Sequence, residues 1–397
     1  MRYSIFKDKK ISGLGFGAMR FPMKEEGGEK VVDRELTEKM LSRAIEAGIN
    51  YFDTAWPYHG GESERILGEL LSRYPRESYF LADKYPGHQV MEHHDPAAIF
   101  EEQLRRLKTD YIDFYLLHNV CESSMDTYLD ENIGIIDYFL EQKRLGRIKH
   151  LGFSSHASLE GLKRFIDAVG DKMEFCQIQL NYLDYTLQRA GEKLDFLNKR
   201  GIPVWVMEPV RGGKLARLPE SAEAELRARR PDESTASFAF RYLMTLEGVT
   251  VTLSGMSDMS QLEDNIRTYS GGTPLSEEEV ALLYRFAEGL KASVPCTACR
   301  YCTEGCPVGL DIPALLEVYN ELRVNPTSVN TGMRVEFLPE EKKPSACISC
   351  GACAAICPQK IDIPARLSDL AQLLLSVPSW RAICKQRDEE QKKNASR

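Results

Sequence analysis

Eight of the chain's eleven cysteines fall into two groups with the same internal spacing. Cys296, Cys299, Cys302 and Cys306-Pro307 read C-x2-C-x2-C-x3-C-P, and Cys347, Cys350, Cys353 and Cys357-Pro358 repeat it without deviation. Three thiolates on one tight turn can cap three irons of a cubane, while a fourth cysteine, displaced ahead of a proline, reaches the neighbouring cluster. On that logic Cys296, Cys299, Cys302 and Cys357 hold one [4Fe–4S] cluster, and Cys347, Cys350, Cys353 and Cys306 hold a second. Two zinc sites would need pairs of C-x2-C rather than triplets with a spaced fourth ligand. The repeat also extends past the cysteines, since the Asp-Ile-Pro-Ala after Cys306 (Asp311 to Ala314) recurs after Cys357 as Asp362 to Ala365. Cys121, Cys176 and Cys384 stand alone and read as ordinary thiols.

A second set of residues suits proton transfer to a carbonyl. Asp53, Lys84 and His118 each end a strand-like run, and Tyr58 lies five residues past Asp53. Reducing a carbonyl needs a hydride donor and an acid that protonates the new alkoxide. A tyrosine with a pKa near ~10 does this poorly unless a nearby cation favours its phenolate. Lys84 is placed to supply that field, Asp53 to orient the lysine, and His118 to hydrogen-bond the substrate oxygen. Each residue alone has a plain structural explanation; together, on consecutive strand ends, they form a candidate active site.

The elements that must position these groups alternate. Strand-like runs span Leu14–Phe21, Asn50–Thr54, Tyr79–Lys84, Tyr111–His118, Ile148–Ser154, Phe175–Asn181, Pro203–Glu208 and Val249–Leu253. Amphipathic helical patterns separate them, including Glu35–Ala47, Ser63–Ser72, Ala97–Leu107, Ile135–Lys143, Leu159–Ala168 and Ser237–Leu246. Parallel strands need such crossovers. Eight repeats over about 290 residues predict an α/β fold, a (β/α)8 TIM barrel, whose chemistry sits at the carboxyl ends of the strands. A hairpin over Tyr3–Ile11 is expected to cap the barrel floor. Gly13, Gly15 and Ala18 satisfy a G-x-G-x-x-A dinucleotide pattern, but Met19-Arg20-Phe21-Pro22 follows where that motif needs a helix.

Ser276 and the acidic run Glu277 to Glu279 start a last barrel helix. The boundaries are therefore drawn as a barrel over 1–290, a small, mainly α-helical, ferredoxin-like domain over 291–384, and a frayed tail over 385–397. The net charge is −8; residues 291–397 carry 14 basic and 12 acidic side chains, so the barrel holds the acidic excess. That balance argues against nucleic acid as a partner. The apolar stretches are too short for a membrane span, and the amino terminus lacks the apolar core of an export signal. A reduced, cytoplasmic and anaerobic setting is expected for such clusters.

Asp53-Thr54-Ala55-x-x-Tyr58 followed by Ser63-Glu64, with Lys84 and Leu116-Leu117-His118, resembles the aldo/keto reductase signature and its Asp-Tyr-Lys-His tetrad. The paired cysteine motif resembles the branch with a carboxyl-terminal ferredoxin-like domain. The resemblance implies a nicotinamide cofactor, NADP(H) or NAD(H), extended across the barrel mouth. It implies that Ser154, Ser155 and Gln177 hold the carboxamide and that Gly17, Met19 and Met207 line the mouth. It further implies that Arg211 and Gly212 approach the pyrophosphate, and that Asp264 and Asn265 meet the adenine. Ser155 stands where the family often has Asn, and Met207 where many members have Tyr. Gly255 and Gln261 stand where NADP-preferring members often carry Lys and Arg.

The expected function is hydride transfer between a nicotinamide and a small carbonyl or alcohol substrate, with the clusters serving electron exchange or docking of a redox partner. Nicotinamide passes two electrons and a [4Fe–4S] cluster ordinarily one, so a flavin would be the usual bridge; the sequence carries no flavin fingerprint. The alternatives are a flavin- or ferredoxin-linked electron-transfer enzyme on the same barrel, and a non-catalytic redox-sensing barrel.

Overall fold

Short runs rich in β-branched and aromatic residues become strands here because each is flanked on both sides and buried on both faces. The computed structural model describes residues 1–89, 93–121, 124–157, 159–290, 294–324, 326–327, 329–379 and 382. In it the chain divides into two compact units, Met1–Glu288 and Gly289–Arg397. The expectations for Cys384 and for a frayed tail over 385–397 lie outside the described residues.

The first unit opens with an antiparallel hairpin, β1 (Tyr3–Phe6) and β2 (Lys9–Ser12), in which Tyr3 faces Ser12. Eight parallel strands then close into a barrel: β3 (Leu14–Gly17), β6 (Tyr51–Asp53), β7 (Phe80–Tyr85), β8 (Ile112–Val120), β9 (Ile148–Ser155), β10 (Cys176–Gln179), β11 (Val204–Met207) and β12 (Val249–Gly255). They are neighbours in chain order, and β12 pairs with β3 to complete the ring. All eight expected strands are present, and the (β/α)8 reading is the observed fold. A helix or helical segment follows each strand, and local signals fix several starts. Asp33 caps Arg34–Glu46 by accepting from Leu36 N–H at 3.0 Å. Asp95 caps Pro96–Leu107, where proline occupies the first turn, a position with no hydrogen bond to lose.

The barrel interior is filled, not hollow. Phe6 leaves the hairpin and packs edge-on against Trp205, with centroids 5.2 Å apart, and against Phe114 and Phe175. The hairpin thus plugs the floor, as expected, and the strand ends opposite it are left for chemistry.

Two local readings need correction. The first barrel strand does not run to Phe21; it stops at Gly17, and Ala18–Arg20 forms a 3-10 turn. Beyond it lies an unforeseen hairpin, β4 (Met23–Glu26) and β5 (Glu29–Val32). Gly27 and Gly28 make its turn with φ of 62° and 85°, the two positive angles that a tight two-residue hairpin turn demands.

The second unit is helical. Its core gathers Leu310, Ile312, Leu316, Tyr319, Leu367 and Leu370, from and around the helices Ile312–Val324 and Ile363–Leu374. The two helices begin at equivalent points of the repeated sequence. Asp362 caps the second by accepting from Ala365 N–H at 3.2 Å, and Asp311 faces Ala314 N–H in the same way at 3.4 Å. No helix among the described residues is long and apolar enough to cross a membrane.

Candidate active site

Asp53 is the last residue of β6, Lys84 lies in β7, and His118 lies in β8. Adjacent parallel strands bring the first two together. Lys84 Nζ donates to Asp53 Oδ1 and to the Thr54 carbonyl, both at 2.6 Å, and its side chain is fully buried. The β8–β9 register shifts between Leu117 and Val120, and Asn119 adopts φ of 55°. An irregularity of this kind re-aims side chains at a strand end, and His118 sits within it. Tyr58 arrives from the loop after β6. His59 (φ 51°), Gly60 (64°) and Gly61 (88°) turn that loop tightly. Phe21 N–H donates to His59 Nε2 at 3.2 Å and the Phe21 ring stacks on the imidazole, which fixes the loop against the end of β3. The result places the Tyr58 ring 6.0 Å from that of His118, edge to face, and the Lys84 ammonium 5.0 Å from the Tyr58 centroid.

The electrostatics differ from the sequence-based expectation at one point. Burial raises the Asp53 carboxyl, with Lys84 opposing. Burial also drives the Tyr58 hydroxyl well above 10, assisted by the charges of Asp53, Asp83 and Glu208. Lys84 therefore does not make Tyr58 a ready phenolate. Its cation is engaged by Asp53 and Thr54 and lies over the ring face, so the hydroxyl keeps its proton. Burial, His88 and Lys84 hold the His118 imidazole far below its usual range, and it is neutral near pH 7. The arrangement offers a protonated phenol and a neutral imidazole at the rim, with a buried cation beneath.

Around this centre, Gly17 and Gly255 are register partners on β3 and β12, and a Cβ on Gly17 would meet the Ser254 carbonyl at 3.2 Å. Met19 and Met207 are half-buried. Gln177 and Ser154 are register partners on β10 and β9. Gln177 Oε1 is buried with no hydrogen-bond partner, while its Nε2 lies 3.6 Å from Met207 Sδ. Ser154 Oγ accepts from Asn119 N–H at 2.8 Å, and Ser155 Oγ donates to the Val120 carbonyl at 2.9 Å. An amide acceptor without a partner beside two serines suits a carboxamide. Arg211 does not reach outward: it is 1% exposed, and its Nε donates to Asp184 Oδ2 at 3.1 Å in a buried ion pair. The backbone of Gly212 (φ 63°) and Gly213 (φ 93°) turns beside it instead. Asp264 accepts from Ser234 and Arg267, and buried Asn265 donates to Ser254 Oγ at 2.9 Å, so both shape the wall with side chains already engaged.

In the second unit the cysteine quartets cross as the spacing implies. One pocket is lined by Cys296, Cys299, Cys302 and Cys357. The other is lined by Cys306, Cys347, Cys350 and Cys353. The rest of the second lining is apolar, Leu310 and Leu367 included, whereas Leu316 and Ile363 share the first with Thr297, Arg300 and Gln359. Burial, and then the neighbouring Cys299, Cys296 and Cys357, push the Cys302 thiol up to about 12. Each quartet of cysteines thus lines one pocket, a donor set of the kind that ligates an iron–sulfur core.

Residues 13–288 match the model of the aldo/keto reductase family. The chain belongs to that family. Residues 295–361 of this reductase match a 4Fe-4S dicluster domain. The reductase is 29% identical over 307 residues to an uncharacterized oxidoreductase, YqkF, of Bacillus subtilis (strain 168), covering 70% of this chain and 92% of that protein. It is 27% identical to L-galactose dehydrogenase of Arabidopsis thaliana, over 65% of this chain and 84% of the plant enzyme. Among solved structures, the holo form of aldo-keto reductase AKR11C1 from Bacillus halodurans superposes with a TM-score of 0.57 at 28% identity, covering 72% of this chain and 95% of that one. The chain is thus an NAD(P)-dependent oxidoreductase of the aldo/keto reductase type with a ferredoxin-type 4Fe-4S domain after its barrel.

Sequence reading missed the layer of the reductase beneath Lys84. Glu64 is fully buried, accepting from Arg106 Nη1 at 2.7 Å and from Gln103 Nε2 at 3.1 Å. The same Gln103 amide donates to the Lys84 carbonyl at 3.1 Å and accepts from Tyr115 at 2.5 Å. Asp83, also fully buried, accepts from Lys84 N–H at 2.8 Å; burial and then the charge of Glu64 push its carboxyl far up. This network grips the backbone on both sides of Lys84. Asp83 inside a strand run, and Glu64 in the signature after Tyr58, were its only signals.

Proposed function

We propose that the reductase transfers hydride between NADP(H) or NAD(H) and a small carbonyl or alcohol substrate, with Asp53, Tyr58, Lys84 and His118 at the reacting centre. The observation that carries this reading is the convergence of a protonated phenol, a neutral imidazole and a buried lysine at one barrel mouth. When bound, the nicotinamide supplies or accepts the hydride. Gln177, Ser154 and Ser155 hold the carboxamide end, Gly17 and Met19 leave room along the rim, and the Gly212 backbone faces the pyrophosphate.

Tyr58 gives its proton to the carbonyl oxygen as negative charge grows there, and His118 donates a hydrogen bond to the same oxygen. The phenolate left behind is stabilised by Lys84, whose charge is already in place and needs no solvent to reorganise. Asp53 keeps that lysine charged and oriented. In the oxidative direction the same groups accept the proton.

The eight cysteines are read as holding two [4Fe–4S] clusters, Cys296, Cys299, Cys302 and Cys357 at one and Cys306, Cys347, Cys350 and Cys353 at the other. When bound, these supply one-electron exchange, which suits a redox partner protein. The test of the barrel reading is Tyr58→Phe, assayed anaerobically in cluster-replete protein. Loss of the positioned acid lowers kcat by roughly 10²–10⁴-fold, with the iron–sulfur absorbance intact. Unchanged turnover overturns the assignment.

A further inference from the structure

The two cysteine sites are built from one repeat, so their linings can be compared position by position. Most positions match. Pro313 and Leu316 line the first pocket where Pro364 and Leu367 line the second, and Ile361 and Ile363 stand where Leu310 and Ile312 do. Three positions break the match, all in one direction. Thr297 in the first pocket corresponds to Ile348 in the second, and Gln359 to Val308. Arg300 lines the first pocket at a position that is Gly351 in the second copy. Thr297 is only 3% exposed. A fourth difference follows Cys302: Thr303 Oγ1 is buried without a hydrogen-bond partner, whereas its counterpart is Ala354. A buried hydroxyl is costly to leave unpaired, and the sulfur of a bound cluster would accept from it.

The backbone marks the arginine as more than incidental. Gly351 has φ of 77°, and Arg300 adopts 70° at the same point of the turn. That left-handed region suits glycine and disfavours a side chain, yet the first copy keeps one. Lys360, next to Gln359, repeats this at φ of 50° where the other copy has Gly309 at 66°. Backbone donors do not differ in this way: Ala298 N–H donates to Cys296 Sγ at 3.4 Å, and Leu310 N–H to Cys306 Sγ at 3.5 Å. Two features of the second site favour an added electron as well. Cys350 is exposed to water, and Lys342 Nζ donates to the Val308 and Gly309 carbonyls at 2.8 and 3.0 Å. That ammonium is held by carbonyls and adds no donor to the lining. Arg300 is likewise shared with Asp311, at 3.2 Å on the surface, so the neutral donors Thr297, Thr303 and Gln359 carry the greater part of the contrast.

We infer that the two sites are unequal as electron acceptors, Thr297, Arg300, Thr303 and Gln359 making the cluster held by Cys296, Cys299, Cys302 and Cys357 the easier to reduce. This rests on the reading of two [4Fe–4S] clusters above. Reduction adds one electron, and hence one negative charge, to a cubane, and donors and cations around its sulfurs favour the more negative state. A single electron from a one-electron donor settles at the first quartet, and the second fills only when more are supplied.

The test is an anaerobic titration of the full-length, cluster-replete protein with titanium(III) citrate, followed by visible absorbance and by the electron paramagnetic resonance of the reduced clusters. Wild type takes up two electrons in separate steps, the first at least tenfold more favourable than the second, which is about 59 mV for one electron. Writing the second copy's residues into the first, Thr297→Ile, Thr303→Ala and Gln359→Val with Arg300→Gly, lowers the more positive step and leaves the other in place. The reciprocal Ile348→Thr/Val308→Gln raises the more negative step, which keeps the inference testable if the first set fails to load iron. A single wild-type step for both clusters overturns the inference. So does a first-site variant that shifts the more negative step, or neither. Wild type that carries fewer than about eight irons per chain, or gives no reduced-cluster signal, fails the two-cluster reading instead, and iron analysis shows that before any step is compared.

Discussion

Lys84→Met removes the one side-chain partner that Asp53 has among the described residues. Lys84 is fully buried, Asp53 has a side chain 4% exposed, and Asp53 Oδ2 has no hydrogen bond of its own. The variant therefore leaves a dry carboxyl without a cation. Breaking a buried pair from one side costs about 3–5 kcal/mol. The carboxyl can escape part of that by taking a proton, because burial without a cation beside it raises such a group further. The sign follows: a carboxyl whose folded pKa lies above its unfolded value stabilises the fold when protonated and loses that contribution as pH rises. The deficit of Lys84→Met is thus largest near pH ~8 and shrinks toward pH ~5. Asp53→Asn/Lys84→Met leaves no charge at these two positions and recovers at least half of the deficit near pH ~8, although it lacks a tetrad and does not turn over. The assay is guanidinium unfolding followed by tryptophan fluorescence, since Trp205 is fully buried in the barrel floor. A double variant no more stable than Lys84→Met, or a deficit independent of pH, refutes the stranded-carboxylate account.

Three further outcomes follow from named contacts. If the quartets cross, Cys299→Ala/Cys357→Ser damages one cluster and retains about half the iron, whereas Cys299→Ala/Cys306→Ser damages both; the reverse pattern in iron analysis refutes crossing. Glu174 is raised by burial, but hydrogen bonds from His150, Lys143 and Lys7 outweigh this and hold its carboxyl far below the usual range. Its contribution is present above pH ~4.5 and lost as pH falls, so Glu174→Gln costs about 1–3 kcal/mol at neutral pH and little in acid, read by the same unfolding assay at both. Because Tyr58 is held above 10, carbonyl reduction stays flat from pH ~6 to ~9; a falling limb near neutrality in the kcat profile contradicts a protonated Tyr58.

What the sequence made legible was whatever a local pattern enforces. Eight strands were readable because burial on both faces leaves continuous apolar runs such as Tyr115-Leu116-Leu117. The grouping of each cysteine triplet with the other motif's fourth cysteine around one pocket was readable because the spacing repeats. The β4–β5 hairpin was not, because Met23-Lys24-Glu25-Glu26 is wholly exposed and carries no alternation; Gly27-Gly28 was its one signal. The helix Glu220–Arg229 escaped for the same reason, with only Ala222 and Leu226 buried. Arg211 was misplaced because direction is not local: Asp184, 27 residues earlier, turns it inward. Glu64, Gln103 and Asp83 meet beneath Lys84 from three separate segments, and only the closed barrel brings them together. For Tyr58 no local pattern shows the balance: burial and the charges of Asp53, Asp83 and Glu208 raise its hydroxyl, with Arg20 opposing.

The two units divide the electron chemistry as well as the chain. Asp53, Tyr58, Lys84 and His118 are closed-shell acid–base groups, suited to moving a proton alongside a two-electron hydride. The cysteine sites ordinarily pass one electron at a time. Joining the regimes requires a group that takes two electrons and releases them singly, the role a flavin plays. Hydride transfer to a carbonyl asks no such step of the barrel, and a definite forecast follows. Adding NADPH or NADH anaerobically to the cluster-replete enzyme leaves the broad iron–sulfur absorbance unchanged, while a carbonyl substrate consumes the nucleotide. Bleaching by nucleotide alone, above all with structured flavin bands, would mean that a converter is bound and that the clusters belong to the catalytic cycle rather than to exchange or docking with a partner.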